Sequence, residues 1–97
     1  MQSTTDNAIL MYTTSWCPAC WRAKQVLNSM NVAYREIDIG EDEAAAAQVI
    51  RINNGYRSVP TLIFPDGSVL TEPRTTELVQ KLQATDQSSP GAAISGR

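Results

Sequence analysis

The chain reads as an α/β domain: a four-stranded mixed sheet flanked by three helices, in the order βαβαββα. Three observations carry this reading. A short apolar run over residues 8–13 gives way to a helical period over 19–30 and then to a loose alternation over 32–39. Strand, helix and strand in that order form a βαβ unit, with parallel strands and a right-handed crossover. Further on, the turn sequence Pro65-Asp66-Gly67 separates two apolar runs, 61–64 and 68–70, which makes a β-hairpin. Finally, 97 residues of which 42% are hydrophobic suit one small globular domain with a modest core.

Each element has a local reason. Residues 1–7 are polar and are expected to fray. Ile9, Leu10, Met11 and Tyr12 make the first strand. In the first helix Cys20, Ala23, Val26, Leu27 and Met30 share one face, and Asn31 is the expected stop. The second strand alternates around Val32, Tyr34, Ile37 and Ile39. Gly40 breaks the chain, and Glu41-Asp42-Glu43 places acid at the positive end of a second helix. The alanines at 44–47 favour that helix; Ala46, Val49 and Ile50 form its predicted core stripe, and Asn53-Asn54-Gly55 is a C-terminal cap signal. After the hairpin, Pro73 cannot continue a central strand. A third helix is predicted over 75–85, with Leu78, Val79 and Leu82 turned inward. The domain is thus expected over 8–85, and 86–97, rich in Ser, Gly and Ala, reads as a flexible tail.

Composition removes several function classes. The formal net charge is −2 and no basic cluster occurs, which argues against nucleic-acid binding. No stretch resembles a signal peptide or reaches membrane-spanning length, so a cytoplasmic protein without membrane association is expected. In that reducing setting a cysteine pair is catalytic or metal-binding more often than a structural staple. A single-chain zinc site would need about four Cys and His ligands, and the chain has two cysteines and no histidine. No metal site is expected.

Both cysteines lie in Thr14-Ser15-Trp16-Cys17-Pro18-Ala19-Cys20, where the first strand stops and the first helix begins. Pro18 suits the first helical position. Cys17 is then the N-cap, whose sulfur is expected to accept from the free N–H groups of Ala19 and Cys20 at the positive end of the helix. Such sites favour thiolate over thiol. With no histidine present, the helix end is the expected activator. Cys20, one turn on and within the apolar stripe, should be partly buried, with a normal or raised pKa, and close enough to close a disulfide. Cys17 is therefore predicted to attack a substrate disulfide and Cys20 to resolve the mixed disulfide.

Ser58-Val59-Pro60 precedes the third strand. Alone it is as well read as an ordinary strand start; beside a Cys pair, a cis Val59–Pro60 bond would turn the Val59 N–H and C=O toward an extended substrate. Taken together, residues 13–20, Gly55-Tyr56-Arg57-Ser58-Val59-Pro60 and the βαβαββα order resemble the glutaredoxin branch of the thioredoxin fold, over roughly residues 9–82. The resemblance implies a disulfide oxidoreductase in which Cys17 is the nucleophile, Pro60 is cis and Val59 meets the substrate backbone.

Glutaredoxins that use glutathione usually have Tyr where this chain has Ala19, and a Gly-Gly turn followed by acidic residues where it has residues 70–75. Residues 12–17, with Ser58-Val59-Pro60-Thr61 and the run 66–73, look most like the mycoredoxins, which reduce mixed disulfides with mycothiol, an uncharged sugar thiol. The resemblance thus implies no bound cofactor, a small thiol as co-substrate with mycothiol favoured over glutathione, and oxidised or S-thiolated proteins as partners of a monomer. Two alternatives remain: an NrdH-type electron donor to ribonucleotide reductase, reduced by a flavoprotein, and an iron–sulfur carrier acting as a dimer. Trp16, Pro18, Ala19, Arg57, Ser58, Val59 and Pro60 are the expected substrate contacts. Tyr12 is expected to pack under the Cys motif and Trp21 to stand on an exposed rim. Arg22, Arg57 and Arg74 are candidates to flank one groove.

Overall fold

The sheet is built outward from β1 (Ile9–Thr13), which pairs on both sides. The structure is a computed structural model that describes residues 8–87. The order is β1, α1 (Pro18–Ser29), β2 (Tyr34–Asp38), α2 (Glu43–Ile52), β3 (Thr61–Ile63), β4 (Val69–Thr71) and α3 (Thr75–Gln87). Strand order is β2-β1-β3-β4. β1 runs parallel to β2, with Ile9 opposite Tyr34 and Thr13 opposite Asp38, and antiparallel to β3, with Met11 opposite Leu62. β3 and β4 are antiparallel. The predicted α/β architecture, a four-stranded mixed sheet with three helices, is the observed one.

Local chemistry accounts for the boundary shifts. Asn31 has a φ of 58°, and the Val32 N–H donates to the Leu27 carbonyl at 3.0 Å. Val32 therefore closes α1, and β2 begins only at Tyr34. In the hairpin the Gly67 N–H donates to the Phe64 carbonyl at 2.8 Å, and Gly67 has a φ of 90°, which suits glycine. Phe64 thus belongs to the turn, and β4 shifts by one residue. At its far end α3 includes Asp86 and Gln87, so the first two residues assigned to a tail are helical. The expected frayed start at 1–7 and the rest of the tail lie outside the described residues.

Alternation along β1 divides the core. Ile9 and Met11 face α1 and α3, in a cluster with Cys20, Ala23, Leu27, Leu62, Leu78 and Leu82. Tyr12 faces the other way, into a cluster with Ile39 and the α2 residues Ala45, Ala46 and Val49. Fully burying a side chain such as Met11, Leu27 or Leu62 contributes about 1.5–3 kcal/mol each, and all three are at 0% exposure. In α2 the buried stripe is Ala45, Ala46 and Val49, with Ile50 only half-buried. Asp42 is the N-cap, accepting from the Ala45 N–H at 3.0 Å. Ala45, Ala46 and Val49 pack together with Tyr12 of β1 and Ile39.

Candidate active site

α1 begins where β1 ends, at the carboxyl edge of the sheet, and this places the cysteines. Cys17 is the N-cap in extended backbone, and Pro18 takes the first helical position. The Cys20 N–H donates to Cys17 Sγ at 3.0 Å. One such donor is present where two were expected, because only Cys20 closes the capping geometry onto the sulfur. The Trp21 N–H makes the first regular helical bond, to the Cys17 carbonyl at 3.0 Å. Cys17 and Cys20 are joined as a disulfide, with Cα atoms 5.2 Å apart. The two differ in access: Cys17 is half-buried, and Cys20 is 2% exposed within the α1–α3 cluster.

The opposite wall is the segment before β3. The Val59–Pro60 bond is cis, and the Val59 carbonyl oxygen lies 4.0 Å from Cys17 Sγ. Since a disulfide sulfur carries no proton, that approach is a van der Waals contact. Pro60 is buried and its carbonyl accepts from the Glu72 N–H at 2.8 Å, which ties the wall to the end of β4. Ser58 and Val59 are half-buried.

A polar network behind this wall was not anticipated. Thr61, at 0% exposure, donates from Oγ1 to the Ser58 carbonyl at 2.7 Å. Asn53 donates from Nδ2 to Thr61 Oγ1 at 3.1 Å and to the Val49 carbonyl at 3.0 Å. Thr71 Oγ1 donates in turn to Asn53 Oδ1 at 2.7 Å. The end of α2, β3 and β4 are thereby linked to the residue next to Val59. Asn53 was legible as a helix cap; its side-chain reach to Thr61 and Thr71 depends on strand pairing.

The other predicted residues separate. Pro18 is exposed and Ala19 half-buried on the first turn. Trp16 is 89% and Trp21 59% exposed, so both stand on the rim. Tyr12 is buried among α2 residues and Val59; it does not underlie the Cys motif, because its place on β1 points it away from α1. Arg22 and Arg74 line one cleft of about 370 Å³, together with Ala19, Glu72, Pro73 and Leu78. Arg57 is exposed but lines neither that cleft nor the one next to it. A second cleft, of about 360 Å³, contains Cys17, Cys20, Trp16 and Trp21 with Thr14 and Ser15. Its one cation, Lys24, is paired with Glu36 at 2.8 Å, and that hydrogen bond raises the Lys24 pKa above its ordinary value. Among the described residues no group of three or more His, Cys, Asp or Glu side chains could hold a metal ion. Among the described residues no helix is long and apolar enough to cross a membrane.

Known proteins resemble this chain in sequence and in fold. The glutaredoxin family model matches residues 9–69. A Mycobacterium tuberculosis protein named for the glutaredoxins is 48% identical over 75 residues, covering 77% of this chain and 89% of the relative. Mycoredoxin 1 of Corynebacterium glutamicum is 36% identical over 76 residues, covering 78% of this chain and 94% of the relative. The crystal structure of the thioredoxin-like protein BC3987 superposes with a TM-score of 0.64 at 36% identity, covering 78% of this chain and 96% of that one. The crystal structure of a glutaredoxin from Archaeoglobus fulgidus does so with a TM-score of 0.64 at 27% identity, covering 84% and 94%.

Proposed function

This chain belongs to the glutaredoxin family and is a disulfide oxidoreductase; from that premise we propose that Cys17 is its attacking thiolate, Cys20 its resolving thiol and a mycothiol-type sugar thiol its reductant. The observation that carries the division of labour is the unequal setting of the two sulfurs. Cys17 is reachable and accepts a backbone N–H at a helix start, which favours its charged form, whereas Cys20 is buried among apolar groups, which does not.

With an S-thiolated protein, the Cys17 thiolate attacks the small-thiol sulfur of the mixed disulfide. A new bond forms between Cys17 Sγ and that sulfur, and the protein leaves as a thiolate that takes a proton from water. A second small thiolate then attacks the bound small-thiol sulfur, which frees Cys17 and yields the symmetrical small disulfide. With a protein disulfide, Cys17 attacks one sulfur and the other leaves as thiolate. Cys20 then gives its proton to solvent and attacks Cys17 Sγ, releasing the reduced protein; two electrons have passed from the pair, which is left in the oxidised state seen here. Val59, 4.0 Å from Cys17 Sγ, offers its backbone to an extended substrate, with Ser58 and Pro60 setting that wall and Trp16, Pro18 and Ala19 the other. The thiol chemistry fits a cytoplasmic monomer acting on oxidised proteins.

Mycothiol as reductant is supported by the mycoredoxin relative and by the cleft holding both sulfurs, whose only cation is already paired. Glutathione is the competing reductant on an observation of its own: Arg22, Arg74 and Glu72 in the neighbouring cleft carry both signs of charge, as a γ-glutamyl end requires. The deciding experiment incubates a Cys20→Ser variant separately with oxidised mycothiol and oxidised glutathione and follows adduct formation by mass spectrometry. A faster mycothiol adduct on Cys17 is expected; a faster glutathione adduct would overturn the reductant, and an adduct on neither the mechanism.

A further inference from the structure

We infer that Trp16 and Trp21 form a stacking site for the sugar of the small thiol, so that the cleft between them sets substrate choice; this rests on the mycothiol reading above. Among the described residues the large exposed apolar side chains are Trp16, Trp21, Tyr56 and Val69. Two of these four flank the cysteine pair directly, one before Cys17 and one after Cys20, and both line the cleft that contains the two sulfurs. Trp is enriched at contact surfaces that are apolar on one side and wet on the other, and here two exposed indoles line the cleft that holds both sulfurs. The cleft, at about 360 Å³, has the size of a small-ligand site.

The lining states which ligand. Indole faces pack against the C–H faces of sugar rings, and the hydroxyls of Thr14 and Ser15 match a polyhydroxylated rim. Lys24 is held by Glu36 at 2.8 Å, which leaves no unpaired charge in the cleft to favour an anion. The adjoining cleft differs, with Arg22 and Arg74 free of any ion pair among the described residues. The Trp21 backbone N–H donates to the Cys17 carbonyl, which fixes the point where its side chain leaves the helix, one turn from the nucleophile.

The test compares two mixed disulfides on the same carrier protein, one made with mycothiol and one with N-acetylcysteine, which has the thiol but no sugar. In Trp21→Ala, the ratio of kcat/KM for the two substrates is expected to fall about tenfold, equivalent to about 1.4 kcal/mol, through KM. Trp21→Phe, which keeps an aromatic face, should restore most of the ratio. Quenching of indole fluorescence by added mycothiol, and not by N-acetylcysteine, is the direct binding readout. An unmoved ratio, or an equal loss on both substrates, overturns the stacking site while leaving mycothiol as reductant. A wild-type protein that does not turn over the mycothiol disulfide overturns both.

Discussion

Reactivity of Cys17 is the point at which the structure makes a quantitative demand. Replacing Cys20 by alanine (Cys20→Ala) leaves Cys17 as the sole thiol, keeps the backbone N–H of position 20 and puts an apolar group into a site that is 2% exposed. A hydrogen bond to a charged group contributes about 1.5–3 kcal/mol, and the N–H of position 20 lies 3.0 Å from Cys17 Sγ. The helix terminus adds about 0.3–1 kcal/mol for a partly exposed anion. Together these favour thiolate by about 2–4 kcal/mol. At about 1.4 kcal/mol per factor of ten, the thiolate-to-thiol ratio should rise roughly thirty- to several-hundred-fold over an unconstrained cysteine. The assay is iodoacetamide alkylation of the variant as a function of pH, in the native state and in urea. The native midpoint should lie well below the unfolded one. The consequence for stability has a definite sign. A group whose native pKa is depressed stabilises the fold fully above its unfolded value, about 8.5 for a thiol, and that stability is lost as pH falls through the native value. Urea midpoints of Cys20→Ala should therefore climb between neutral pH and about 8.5. Coincident alkylation midpoints in the native and unfolded chains would refute activation by the helix end.

Two further outcomes follow from the supports around the site. Thr61→Val should cost about 1–3 kcal/mol, because the Ser58 carbonyl and the Asn53 amide each lose a partner; urea melts measure the loss, and amide exchange should quicken at Arg57, Ser58 and Val59. In the hairpin, Asp66 accepts from the Ser68 hydroxyl at 2.6 Å, the Ser68 N–H at 2.9 Å and Lys81 at 3.0 Å, which together hold its carboxyl well below the usual carboxylate range. Its contribution is complete above the unfolded carboxylate value, about 3.9, and is lost as pH falls through the native one. Acid unfolding below pH ~4 should thus be less steep in Asp66→Asn than in the wild type.

Sequence alone determined what rests on neighbours a few residues apart. Pro18 sets a helix start, and that start makes Cys17 the cap and puts Cys20 one turn on, whatever the rest of the chain does. Asn31, Gly67 and the acids before α2 work over the same short range, so element order was legible to within one or two residues at each boundary, as were the cap position of Cys17 and the place of Cys20 on the apolar face. The cis Val59–Pro60 bond came from the company of the Cys motif, since Ser58-Val59-Pro60 alone reads as an ordinary strand start.

Tertiary structure decided whatever joins separate elements. The register of β1 against β2 and β3 sends Met11 to α1 and Tyr12 to α2, which no local pattern in an apolar run distinguishes. Strand pairing brings Thr71 to Asn53 and so stiffens the wall beside Cys17. Packing of α1 on α3 gathers Arg22 with Arg74 and leaves Arg57 apart. Capping and turn energies act within a turn of backbone, whereas these contacts exist only once the sheet has brought distant residues together. The setting of Cys17 and the cleft beside Trp16 and Trp21 are accordingly written locally, whereas the Ser58-Val59-Pro60 wall opposite the sulfur is a property of the assembled fold.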